Sequence, residues 1–265
     1  MTMGNSDDEN GEICLTENNL PAKPDWYFVD ARVEDFWAAV DFEPPLNLLD
    51  IFRAGGCTVK TYQELSQKLD ISVDEVGARF GSEDGCVFYD ARHDRYRLAY
   101  DCSTGPRTRW TLAHELGHII LRHLEDFPET SITRKQSPVL LDILDKEADK
   151  FAGEILAPAP LLIGLAESSN LHTKEFYYAL SRDLFGLSRQ AAYYRARTIY
   201  LYRDKITKHW ADAKPAVYQK HMDTFLAKYG GLGPDTLAGR YWMEKYSKEY
   251  QRYEDPEMPP AAAGE

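Results

Sequence analysis

Cysteine is scarce in this 265-residue chain, and its four residues, Cys14, Cys57, Cys86 and Cys102, form no C-x-x-C pair. Their wide spacing argues against a disulfide framework and a cysteine-based zinc site, and for free thiols in a reducing compartment. Long apolar runs are missing too. No stretch approaches the ~18 apolar residues that a membrane span requires; the longest uncharged run, "LAPAPLLIGLA", is broken by two prolines. The opening "MTMGNSDDENGEI" has no apolar core of the kind a secretory signal needs, so a cytoplasmic protein with no membrane partner is expected. Positive charge is also in deficit, at a net −12, which argues against a bulk nucleic-acid binder. No internal repeat is evident.

The negative charge is concentrated at one end. Residues 1–50 hold 12 acids against Lys23 and Arg32, a balance of −10, leaving −2 for the rest. An acidic, Asn-rich head of about 20 residues buries too little apolar surface to offset its ordering entropy. The reading is a disordered tail at 1–24, a folded domain at 25–206, a helical extension at 207–253 and a disordered tail at 254–265. Within the unit, apolar residues from Trp26 to Leu48 suggest ordered structure, and "EPPLNLLDIF" starts a helix. Two capping boxes, Thr61-x-x-Glu64 and Ser72-x-x-Glu75, open two short helices. "CVFYDARHDRYRLAYD" has the aromatic and branched residues of a β-hairpin turning at His93-Asp94. Further helices are expected from Ser137 to Leu156, stopped by Pro158 and Pro160, and over 173–206 with a break at Gly186.

What is present, against this background, is "TLAHELGHIIL" at 111–121. Two histidines four residues apart share one helix face, so the imidazoles of His114 and His118 can reach a single ion. Glu115, about 100° round the helix, is placed to take the proton of a water on that ion as the water attacks a carbonyl. Gly117 removes bulk beside the histidine face, which lets another helix approach. A catalytic site also needs a third ligand and an open position. In "SPVLLDILDKEADKFAGEILAP" the helical phase sets Glu147 in the middle of the stripe of Leu140, Ile143, Leu144, Phe151 and Ile155. Asp142, Asp145 and Asp149 fall on the opposite, solvated side. A buried carboxylate requires a partner, so Glu147 is the expected third ligand, with Glu154 held in reserve.

Taken together, "RTRWTLAHELGHIIL" and "EADKFAGEILAP" resemble the ImmA/IrrE family of metallopeptidases, and "FGLSRQAAYYRA" resembles the segment that often follows. The resemblance covers roughly residues 55–200. It implies a mostly helical α+β, zincin-like fold with a small antiparallel sheet beside the motif helix. It also implies Zn2+ or Mn2+ on His114, His118 and Glu147, with Glu115 as general base, in an endopeptidase that cuts helix-turn-helix repressors of mobile elements or stress regulons. Asp149 departs from the asparagine often found there in the family. A competing reading is a DNA-binding regulator with a structural metal. Residues 171–208 have helix-turn-helix spacing and hold eight Lys/Arg against three acids. His123, about 180° from His114 on the same helix, reads as a surface residue or a helix-end cation. Arg107 and Arg109 are candidates to guide substrate. Tyr177, Tyr178, Tyr193, Tyr194 and His172 are candidates to stabilise an oxyanion.

Overall fold

The computed structural model describes residues 21–40, 45–126, 138–212, 219–224, 227 and 237–254. The expected N-terminal tail falls almost wholly outside the described residues, as does the C-terminal one.

The architecture is α+β: a mostly helical body beside one small sheet. Helix α1 (Trp26–Ala39) is capped by the Asp25 side chain on the Phe28 amide, and α2 (Leu48–Ala54) by Asn47 on Asp50. Strand β1 (Thr58–Thr61) runs straight into α3 (Tyr62–Leu69), Thr61 ending the strand and capping the helix. After α4 (Val73–Phe80), the hairpin β2 (Gly85–Asp90) and β3 (Arg95–Tyr100) turns through Asp94 at φ 48°. Both capping boxes form, each side-chain pair satisfying two helix-end amides reciprocally.

The sheet order is β1-β3-β2. β2 and β3 are antiparallel, with Val87 opposite Leu98, as the hairpin pattern predicts. β1, however, joins β3 in parallel, Thr58 opposite Arg97, so the sheet is mixed where an antiparallel one was expected. The "TVKT" segment is rich in β-branched residues but only four residues long, and nothing in it specifies a parallel partner. Its pairing is decided by the position that α2 and α3 give its two ends.

Helix α5 (Pro106–Ile120) packs on the sheet and against α7 (Pro138–Leu156), while α6 (His123–Asp126) is a single turn after α5. The prolines at 158 and 160 do end α7, and they also start a new helix, α8 (Ala159–Ser168). That is consistent with the tolerance of a first helical turn for proline, since its missing N–H would lack a partner there. α9 (Lys174–Asp183) and α10 (Arg189–Asp212) flank Gly186 at φ 66°, and α10 runs on past the expected boundary at 206. A last helix, Leu237–Glu254, lies on α9.

The main core joins Phe36, Trp37, Phe52, Leu98, Leu116, Phe151, Leu162 and Phe185. The span Pro138–Ser168 is long and apolar enough to cross a membrane by composition, but 78% of its apolar window is buried in this fold. It is accordingly core material. Of the four cysteines, Cys57, Cys86 and Cys102 form no disulfide among the described residues; Cys14 lies outside them.

Candidate metal centre

Gly105, at φ 58°, turns the chain out of the sheet, and Pro106 starts α5 without a side-chain cap. The helix then lays Leu112, Ala113 and Leu116 into the core. At Gly117 it meets α7 so closely that an added Cβ would lie 3.1 Å from the Ala148 Cα and 3.2 Å from its carbonyl oxygen. Glycine is required there for helix contact, as the sequence suggests. Asp149 faces His114 and Asp145 lies nearest His118, so rising number on α7 meets falling number on α5. The two helices run antiparallel.

Across this contact the imidazoles converge. His114 Nε2 and His118 Nε2 are 3.1 Å apart. Asp145 Oδ1 lies 3.5 Å from His118 Nε2 and 3.9 Å from His114 Nε2. Tetrahedral zinc with bonds of about 2.0–2.1 Å sets its ligand atoms about 3.3–3.4 Å apart. Two of these separations lie close to that spacing, and the third, from Asp145 to His114 Nε2, is about half an ångström longer, so the three groups could hold one ion. The protonation state of His118 fits as well. Burial pushes the His118 pKa down to about 4, so its imidazole is neutral with a lone pair to donate. Burial also pulls on His114, but its hydrogen bond to Asp149 and the nearby Glu115 charge outweigh that and raise its pKa.

Each ring is held from behind. His114 Nδ1 is 2.9 Å from Asp149 Oδ1. His118 Nδ1 is 2.9 Å from His123 Nδ1. His123 Nε2 is 3.0 Å from Glu147 Oε2, and Glu147 Oε1 accepts from the Asp25 amide at 2.5 Å. Glu147 is therefore buried in mid-stripe, as its phase predicts, but its partners are His123 and the start of α1. The carboxylate that the fold brings to the histidine pair is Asp145, which the phase argument had assigned to solvent. It sits at the rim of the α5–α7 contact, half exposed, where it reaches the site without belonging to the apolar stripe.

His123 is not on the surface, contrary to expectation; it is 2% exposed. The helical phase that put it there is broken one residue earlier, where Arg122 takes φ 60° and α5 gives way to α6. That reversal swings His123 under His118. No local sequence signal marks the break, because Arg122 is neither glycine nor asparagine.

Glu115 is 5% exposed, and its Oε2 accepts a 2.7 Å hydrogen bond from the Val87 amide of β2. β2 is an edge strand of the sheet. The carboxylate next to the histidine pair is thus tied directly to a strand edge.

The other candidates have contacts of their own elsewhere in the fold or stand exposed. Glu154 pairs with Arg195 at 2.6 Å. Arg107 pairs with Asp84, and Arg109 donates to the carbonyls of Leu46 and Phe185, joining segments of the fold. Tyr177 and Tyr178 are fully buried, and the Tyr178 hydroxyl donates to Glu249. Tyr193 packs on Tyr250, Tyr194 is exposed, and His172 lines a crevice with Glu167, Arg203 and Lys208. In the 171–208 segment, Arg182 and Arg189 pair with Glu249, and Arg203 with Asp204.

Comparison with known proteins gives one informative result. The family model Peptidase_M78, described as an IrrE N-terminal-like domain, matches residues 69–197. No curated protein and no solved structure matches significantly.

Proposed function

From the membership of residues 69–197 in the Peptidase_M78 (IrrE N-terminal-like) metallopeptidase family, we propose that this chain is a metal-dependent endopeptidase acting on a cytoplasmic regulatory protein. The observation that carries the reading is the convergence of two Nε2 atoms and a carboxylate beside a buried glutamate. His114, His118 and Asp145 would hold the ion, with zinc favoured by the donor set and manganese the alternative. When bound, the ion would acidify a water and polarise the scissile carbonyl.

The remaining chemistry belongs to the chain. Glu115 accepts the proton of the attacking water on its carboxylate and passes it to the leaving amine, the work of a positioned general base and then acid. The bond from Val87 fixes one carboxylate oxygen and so sets the direction of the other. His114 donates Nδ1–H to Asp149, which holds that ring with Nε2 inward. The β2 edge beside Glu115 supplies main-chain groups against which an extended substrate segment would lie as an added strand, a mode that demands little sequence.

The substrate we favour is a helix-turn-helix repressor. The support is the implied family activity and the −10 balance of residues 1–50, a field that favours a basic partner over an acidic one. The commitment of Arg182, Arg189, Arg195 and Arg203 to acids of this chain weakens the DNA-binding alternative. The test incubates the protein with a repressor encoded beside its gene, with casein and with denatured lysate, each with and without chelator. Chelator-sensitive cleavage of the repressor alone is expected. Rapid digestion of casein and lysate would show a general peptidase, and no cleavage of any substrate would reject the enzymatic reading.

A further inference from the structure

His123 and Glu147 lie behind the histidine pair, buried to 2% and 6% exposure, in the one layer where the ligand-bearing helix, α7 and the start of α1 meet. Buried polar groups persist only when hydrogen-bonded, and a buried carboxylate needs a donor on each side. Here four groups in series meet that need with a single arrangement of protons. If His118 presents the Nε2 lone pair to an ion, its proton is on Nδ1. That proton points to His123 Nδ1, 2.9 Å away, which must then be the acceptor. His123 consequently carries its proton on Nε2 and donates it to Glu147 Oε2 at 3.0 Å. Glu147 Oε1 accepts from the Asp25 amide, which cannot do anything but donate. The Asp25 amide keeps Glu147 Oε1 an acceptor, which is compatible with these roles.

We propose that His123 and Glu147 are positioning residues of the metal centre, forming a buried relay that fixes the ring and tautomer of His118. The inference rests on the metallopeptidase reading and concerns residues that touch neither ion nor substrate. It gives the two ligand histidines different supports. His114 is held by one half-exposed carboxylate, Asp149, whereas His118 is held by an imidazole and a fully enclosed carboxylate. It also gives the buried Glu147 a role without making it a ligand, and it anchors the N-cap residue of α1, Asp25, to the centre. Partners of this kind orient ligand rings and raise their basicity, and their loss typically weakens metal binding by about 10–100-fold.

The experiment is a competition titration of zinc against a chromophoric chelator, using the full chain as wild type, His123→Leu, His123→Asn and Glu147→Gln. Visible spectra of the cobalt-loaded proteins are recorded alongside. His123→Leu removes the acceptor and is expected to weaken zinc by about 10–100-fold. His123→Asn, whose Oδ1 can still accept from His118 Nδ1, is expected to recover part of that loss. Glu147→Gln should give an intermediate loss, with the cobalt bands displaced in all three variants. Zinc affinity equal to wild type in His123→Leu overturns the proposal. If that variant does not fold, equal affinity in both His123→Asn and Glu147→Gln overturns it. Loss of zinc in Glu147→Gln with full affinity in His123→Leu would make Glu147 a direct ligand, overturning the relay and sparing the metallopeptidase reading. A wild type that binds no zinc and no cobalt would reject that reading itself.

Discussion

Glu115 and Val87 are joined by a 2.7 Å hydrogen bond from a strand-edge amide to a buried carboxylate. The bond couples the proposed general base to the place where an extended peptide would lie, so a Glu115 variant that keeps the bond separates chemistry from architecture. Glu115→Gln retains an oxygen to accept from Val87. It should keep its metal and its thermal stability while losing peptide cleavage by ~100-fold or more, the scale of a positioned general base. Single-turnover cleavage beside metal analysis reads this directly. Near wild-type cleavage would remove Glu115 from the mechanism.

Gly117 offers a second test, through packing. Alanine there would place its Cβ 3.1–3.3 Å from three atoms of Ala148, two of them backbone, so α7 must shift by a few tenths of an ångström. Overpacking of this kind costs about 1–3 kcal/mol. Because α7 also carries Asp145 and Asp149, Gly117→Ala should lower metal affinity together with stability. Urea denaturation and a zinc titration check the pair. Reduced stability with unchanged zinc affinity would show that the site does not depend on the α5–α7 spacing.

The pair of Glu154 and Arg195 predicts how stability depends on pH. Burial alone would raise the Glu154 pKa, but the Arg195 guanidinium, with help from Lys150, holds it below the usual carboxylate range. A carboxylate depressed in the folded state contributes stability above its unfolded pKa of about 4.3 and loses it as pH falls towards the folded value. Glu154→Gln leaves Arg195 facing a neutral group. It should cost about 3 kcal/mol near neutral pH, and the difference from wild type should shrink as the pH falls below about 4. Chemical denaturation across that range measures it; a difference that grows on acidification would contradict the assignment.

Much of this was legible because it is local. The spacing of His114, Glu115 and His118 needs nothing beyond helix geometry, and the capping boxes at Thr61 and Ser72 and the hairpin at 85–100 are equally short-range. Gly117 was readable as a close-contact residue because a glycine beside a ligand face has few other uses. The failures share a cause: they depend on which element lies opposite. Burial on α7 points to Glu147 as a ligand, and Glu147 is the buried acid, but its donor is a histidine displaced by the reversal at Arg122. Asp145 faces the site from the rim of a helix contact, a position that periodicity scores as solvent. The parallel pairing of β1 likewise depends on long-range placement.

The proposed binding of one ion by His114, His118 and Asp145 is tested most directly by metal content. Elemental analysis of the purified, zinc-loaded and desalted full chain should find a single ion per molecule, with Asp145→Ala retaining little and folding normally by circular dichroism. A folded Asp145→Ala that keeps the wild-type zinc content, or a wild type that retains none, would contradict the account.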